Sequence, residues 1–221
     1  MRRALPTLAA LLLLLLPASA SGQWARVRQA PWQWQIAVSD AVSTRTASNN
    51  ERIDGDFSTV AVQAGKPLFR WRTVTFGWLA EALPVVRWQS GAPPERVRNA
   101  LADPAEASNP ERLARYAVRR GFGVGLAPFG AEASMPVAGR TTLLLNVTAG
   151  AAWFNQVVPY GKATQANFTV APGAGVERSV GSGAALAVGY ALHHLSNASM
   201  GGANPGMNSH LLFMRWERRA P

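Results

Sequence analysis

The chain has 221 residues, a formal charge of +10 and no cysteine. The lack of thiols excludes disulfide stapling and cysteine chemistry. The 22 basic residues outnumber the 12 acids and are almost all arginine, the better bidentate phosphate binder, so the balance suits an anionic partner.

The first element in chain order is a targeting segment. Residues 1–20, MRRALPTLAALLLLLLPASA, open on Arg2 and Arg3, continue through an apolar run from Leu8 to Leu16, and end in Ala18-Ser19-Ala20. That is the three-part pattern of a secretory signal peptide, with an apolar run too short to cross a bilayer. The expected mature domain is 21–221, and loss of the two arginines lowers its charge from +10 to +8. No later run reaches the 18 or more apolar residues of a membrane helix. The sequence therefore leaves a soluble exported protein or an outer-membrane β-barrel. Export and the scatter of the arginines argue against a nucleic-acid partner.

Beyond the signal the pattern is strand-like, with turn residues between the segments. Eight segments are expected: Trp32–Thr44, Phe57–Gly65, Phe69–Trp88, Ala117–Pro128, Thr141–Trp153, Ala166–Glu177, Gly183–Asn197 and Met207–Trp216. The best helical candidate, Pro93–Arg120, is polar and broken by Pro104 and Pro110, and reads as a long loop with short helical turns. Connections near Arg45–Asp56, Gln89–Tyr116, Phe154–Gln165 and Ala198–Gly206 are long or polar. Those near Lys66–Leu68 and Arg178–Ser182 are short, with Phe129–Arg140 as an exception. Alternating long outer loops and short periplasmic turns mark an all-β fold, an eight-stranded antiparallel transmembrane β-barrel filled by its own side chains. Trp71 and Trp216 fall at expected inner ends and Trp88 and Trp153 at outer ends, where interface belts belong. In a soluble sandwich the same tryptophans would be core. The glycine-rich Gly121–Gly125 has the period of a strand and no helix after it, which excludes a phosphate loop.

The seventh segment carries the chemistry. In GAALAVGYALHHLSN the even positions Leu186, Val188, Tyr190 and Leu192 are large, and the odd positions Ala185, Ala187, Gly189 and Ala191 are small. A narrow barrel turns the small face inward and the large apolar face to lipid. His194 and Ser196 continue the lipid-facing stripe past its end, with Cβ atoms about 6–7 Å apart at strand rise. A hydroxyl beside a base is the minimal activated nucleophile. The bland alternative is a polar strand end meeting headgroups.

The string His194-Leu195-Ser196-Asn197-Ala198, followed by Asn204-Pro205-Gly206-Met207-Asn208, resembles the lipid A 3-O-deacylase (PagL) family. The resemblance implies an eight-stranded outer-membrane serine esterase that hydrolyses the acyl chain at the 3-position of lipid A. Ser196 would be the nucleophile and His194 the general base. Asn197, Ser199 and Asn204, with the amides after Ser196, are oxyanion candidates. Arginines at the outer loops (Arg45, Arg52, Arg96 and Arg98) would hold the phosphates of lipopolysaccharide. No cofactor or metal is expected, and a homodimer is a possible assembly.

One position departs from the family. A glutamate is expected twelve residues after the serine, and Asn208 stands there. An amide can orient a histidine but cannot neutralise the imidazolium formed as the serine loses its proton. Asp54 and Asp56 are the candidate substitute acids, Glu177 and Glu217 lie too far down their strands, and His210 shares a face with Asn208, from which it could approach His194 across the hairpin. Two other readings compete. One is a non-catalytic barrel that binds lipopolysaccharide or stabilises the membrane. The other is a soluble barrel holding an apolar ligand.

Overall fold

The structure, a computed structural model, describes residues 30–46, 53–91, 99, 102–103, 109, 120–159, 163–181 and 183–218. The expected signal peptide and most of the Pro93–Arg120 loop lie outside these residues. Eight antiparallel strands close into a ring in sequence order. They are β1 (Gln33–Thr46), β2 (Asp54–Trp71), β3 (Val74–Ser90), β4 (Arg120–Ala138), β5 (Thr141–Val158), β6 (Thr164–Ser179), β7 (Ala184–Ser196) and β8 (Met207–Arg218). Closure by β1 against β8, from Trp34↔Arg218 to Thr46↔Met207, leaves no long open edge.

The burial pattern is that of a membrane barrel. The outside is apolar, with Phe129 73%, Leu145 63% and Val188 60% exposed. The inside holds Gln35, Gln63, Glu177, Arg215 and Glu217, all buried. A soluble sandwich would place these classes the other way round. Buried polar groups are costly unless paired, and the lumen pairs most of them, leaving Arg215 Nε, Gln35 Oε1 and Gln63 Oε1 without a partner among the described residues. Arg215 donates to Glu132 at 2.5 Å and to Glu177 at 3.4 Å, Gln35 donates to Glu217 at 3.3 Å, and Gln63 donates to Glu81 at 2.6 Å. Towards the end bearing the long loops the lumen turns apolar, and Phe57, Trp88, Phe154, Val158, Leu195 and Met207 pack in one cluster. At the opposite end a vestibule of about 510 Å³ is lined by Gln33, Lys66, Arg70, Glu132, Glu177 and Glu217.

All eight expected strands form, but three details are corrected. The turn expected at Lys66–Leu68 is strand, because β2 runs on to Trp71 and turns at Arg72–Thr73, so Phe69 belongs to β2. Pro67 is tolerated there because β1 pairing reaches only Gly65 and the β3 register shifts between Pro67 and Phe69. The expected long connection Phe129–Arg140 is also strand, up to a turn at Gly139–Arg140, and Pro128 sits in a bulge where the register shifts between Leu126 and Phe129. Short turns therefore occupy every connection at the end that carries Gln33 and Arg218.

The third correction concerns Trp88. It is fully buried in the lumen and belongs to no interface belt, whereas Trp71, Trp153 and Trp216 face outward. An irregularity in β3 between Leu83 and Val86 adds one residue and flips the strand's inward parity from odd to even.

Candidate active site

The outer end of β7 keeps the alternation read from the sequence. Leu186, Val188, Tyr190 and Leu192 face out, and Ala185, Ala187, His193 and Leu195 face in. Inside the barrel Leu195 and Met207 join the apolar cluster, and His193 stacks on Phe57 with ring centroids 4.8 Å apart. Thr44 donates to Ser209 at 3.0 Å behind the same strands. The strand ends that carry the site thus rest on a packed lumen.

His194 and Asn208 are register partners across β7 and β8, and His194 Nδ1 lies 2.7 Å from Asn208 Oδ1. With Oδ1 as acceptor, Nδ1 carries the hydrogen and Nε2 keeps its lone pair. Ser196 stands two residues further along the same face. Its hydroxyl donates to Asn204 Oδ1 at 3.1 Å, and the Ala198 amide donates to Ser196 Oγ at 3.3 Å. The structure thus couples the candidates in two pairs, His194 with Asn208 and Ser196 with Asn204.

The loop after Ser196 is held by Asn197, which is 1% exposed. Its Nδ2 donates to Ala203 O at 2.9 Å, its Oδ1 accepts from the Ser199 amide at 3.0 Å, and its own amide donates to Asn204 Oδ1 at 3.2 Å. The Asn197 side chain therefore braces the loop from within. Ala198 and Ser199 take φ of 49° and 64°, left-handed values that cost about 1–2 kcal/mol per non-glycine residue and persist only where neighbours enforce them. The bracing aims the Ala198 amide at the serine oxygen. Gly201 completes the loop, since a Cβ there would come within 3.0 Å of Thr164 Cγ2 and 3.1 Å of Asn197 Nδ2.

The other expected partners lie elsewhere. Glu217 contacts Gln35 and Glu177 contacts Arg215 in the lumen, both far from the rim. Asp54 faces Arg45 at 3.4 Å. Asp56 pairs in register with Gln89 on the far side of β2. His210 pairs in register with Leu192, one outward row deeper than Asn208, and its Nδ1 is hydrogen-bonded to the Tyr190 hydroxyl. Arg52, Arg96 and Arg98 lie outside the described residues. Among the described residues no group of three His, Asp or Glu side chains is arranged to hold a metal ion.

Two neighbours escaped the sequence reading. Phe168 pairs with Ser196 and Val170 with His194 across β6 and β7, and both are outward, so the site is flanked by an apolar wall. The alternation of β6 puts these two on one face, but its register against β7 is invisible in sequence.

A family model described as lipid A 3-O-deacylase (PagL) matches residues 105–217. Among solved structures, the chain is similar to a crystal structure of the outer membrane enzyme PagL, with a TM-score of 0.52 and 16% identity over 81% of this chain and 97% of that one. It is also similar to Neisserial surface protein A (NspA), with a TM-score of 0.49 and 12% identity over 86% of this chain and 97% of that one. No curated protein matches. At these identities the structural likeness speaks to the fold alone.

Proposed function

The chain belongs to the lipid A 3-O-deacylase (PagL) family of outer-membrane β-barrels, and on that premise we propose that it is a serine esterase removing an ester-linked acyl chain from lipid A. The observation that carries the reading is the His194–Asn208 hydrogen bond of 2.7 Å beside an outward serine at the rim. The substrate's sugar lies at that level in the outer leaflet, and its acyl chains lie against the apolar stripe below.

Ser196 turns its hydroxyl from Asn204 to His194 Nε2, which takes the proton as Oγ attacks the acyl carbonyl. The tetrahedral oxyanion is met by the Ala198 amide and by Nδ2 of Asn204, whose Oδ1 stays held by the Asn197 amide. As the intermediate collapses, His194 returns the proton to the sugar oxygen, leaving the 3-hydroxyl free and an acyl-Ser196 ester. Water then attacks that ester with His194 again as base, releasing the fatty acid. Asn208 fixes the histidine tautomer throughout. The imidazolium forms without a counter-charge, so the reaction is slower than with a carboxylate at 208.

Mass spectrometry of lipid A from cells expressing the protein, beside a Ser196→Ala control, tests the reading. Loss of one 3-hydroxyacyl chain only with the serine present is the expected outcome. Unchanged lipid A with the barrel inserted in the outer membrane would refute it, and the reading of a non-catalytic barrel that binds lipopolysaccharide would stand instead.

A further inference from the structure

The row of outward side chains that begins with His194 and Asn208 does not end at β8. Asn208 is register-paired with Arg45 of β1, and Arg45 with Asp54 of β2. His194, Asn208, Arg45 and Asp54 therefore stand side by side across four strands at the rim. At a strand spacing of about 4.8 Å, the His194 and Arg45 backbones are about 10 Å apart.

Arg45 reaches this face through a bulge. Along the first part of β1 the odd residues Gln35 and Ala37 are buried in the lumen, while Thr44 and Thr46 are the buried residues at its end. The parity changes between Ala41 and Ser43, where β1 carries one residue more than either neighbour. Without the extra residue, an odd-numbered Arg45 would point into the barrel. Bulges commonly re-aim a side chain beside a functional site, and this one turns a guanidinium onto the face of the nucleophile.

The Arg45–Asp54 ion pair uses Nε, at 3.4 Å, with the two side chains 54% and 65% exposed. An exposed pair of this kind adds little stability. It does orient the guanidinium through Nε, and the fork of two Nη groups is carried on a side chain that stays more than half exposed. That fork matches two oxygens of a phosphate.

We propose that Arg45 is a phosphate subsite, binding the phosphate on the sugar that carries the scissile ester. This rests on the deacylase reading. With the ester at Ser196, the same sugar ring brings its own phosphate towards β8 and β1. A phosphate on a neighbouring lipid offers the same chemistry, so the experiment separates the two sources.

The test compares the wild type with Arg45→Gln and Arg45→Lys on lipid A with and without that phosphate, in neutral detergent micelles that dilute neighbouring lipids. Removing either the phosphate or the guanidinium is expected to lower kcat/KM about tenfold, mainly through KM, the size of a charge-assisted hydrogen bond. Removing both should cost no more than removing one, because they are partners. Arg45→Lys should recover part of the loss as a point charge without the fork. Rescue of the dephosphorylated substrate by phosphatidic acid in the micelle would assign the subsite to a neighbouring lipid. Equal rates of the wild type on both substrates, or an Arg45→Gln loss that ignores the phosphate, would overturn the proposal.

If no ester is cleaved at all, the deacylase reading fails, and binding decides the subsite. Ser196→Ala should bind the phosphorylated lipid about tenfold tighter than the dephosphorylated one, and adding Arg45→Gln should erase the difference. Equal binding of the two lipids would overturn it.

Discussion

At the loop end of the barrel the polar groups face outward over an apolar lumen, whereas at the turn end the charges face inward beneath an apolar exterior. His194, Ser196, Asn208 and Arg45 belong to the first arrangement, and Arg215, Glu132, Glu177 and Glu217 to the second. Arg215 draws Glu132 and Glu177 together across the lumen, which ties β4, β6 and β8 to one another. The outward groups sit where a lipid headgroup meets the rim, on strands already fixed by Phe57, Leu195 and Met207 behind them. Under the proposed function, recognition and chemistry are separated from stability, and substitutions at the two ends should separate in the same way.

The largest effect is expected at the loop end. His194→Gln removes the base and should lower esterase activity by roughly 10⁴-fold or more. Because His194 is a half-buried rim residue, the urea midpoint of the barrel in lipid vesicles should stay within error. An equally large loss of stability would contradict the division of labour between the ends.

The converse is expected from Arg215→Met. It leaves Glu132 and Glu177 facing each other without their shared cation, and stranding a buried charge costs about 3–5 kcal/mol. Urea unfolding should show that loss while activity per folded molecule stays within twofold. Adding Glu132→Gln and Glu177→Gln should restore most of the stability, since neutral side chains need no counter-charge. A fall in activity at full stability would mean that the lumen is coupled to the rim.

Much of this division was legible in the sequence, and what was hidden has one physical cause. Alternation places Leu186 to Leu192 outward and predicts the outward faces of His194 and Ser196, because a strand's period of two is rigid as long as no residue is inserted. Bulges break that rule, and although Pro84 and Pro128 mark two of them, nothing in the sequence marks the one in β1. The insertion near Val42 moves Arg45 outward, and the one between Leu83 and Val86 moves Trp88 inward. Pro67 and Pro128 look like turn residues in sequence, yet both sit in strands where a register shift or an unpaired side accepts the missing N–H. Register across strands was equally hidden. The chain order of Asn208 and His194 suggests a hairpin pair, whereas nothing in it places Arg45 next in the row.

A smaller and opposite effect is expected at position 208. Asn208→Glu keeps the hydrogen bond to His194 Nδ1 and adds the charge that the imidazolium lacks. The full penalty for an amide in place of the acid is about 10⁴, much of it from the wrong tautomer. The tautomer is already correct here, so the gain should be roughly 10–100-fold in kcat/KM. Asn208→Ala should lower the rate, because the ring then loses its anchor. If Asn208→Glu has no effect, imidazolium formation does not limit the rate, and the uncompensated charge is not the weakness of this site.

The smallest effect is expected at the second outward histidine, and it tests whether facing lipid near the rim is enough to make a histidine part of the chemistry. His210 shares β8 and the outward face with Asn208, but it pairs in register with Leu192, and its Nδ1 is held by the Tyr190 hydroxyl. From Ser196 it is separated by the His194 row, beyond the reach of a proton transfer that needs donor and acceptor within about 3.2 Å or one bridging water. Replacing it with phenylalanine keeps the ring's bulk against the acyl chains. It frees the Tyr190 hydroxyl in the apolar band, a loss of about 0.5–1.5 kcal/mol for one hydrogen bond. Initial rates on lipid A should therefore change by less than about threefold, while stability falls slightly. Loss of activity on the scale of His194→Gln would make the two histidines a relay, and the site would then extend a row deeper into the membrane than the His194–Asn208 pair.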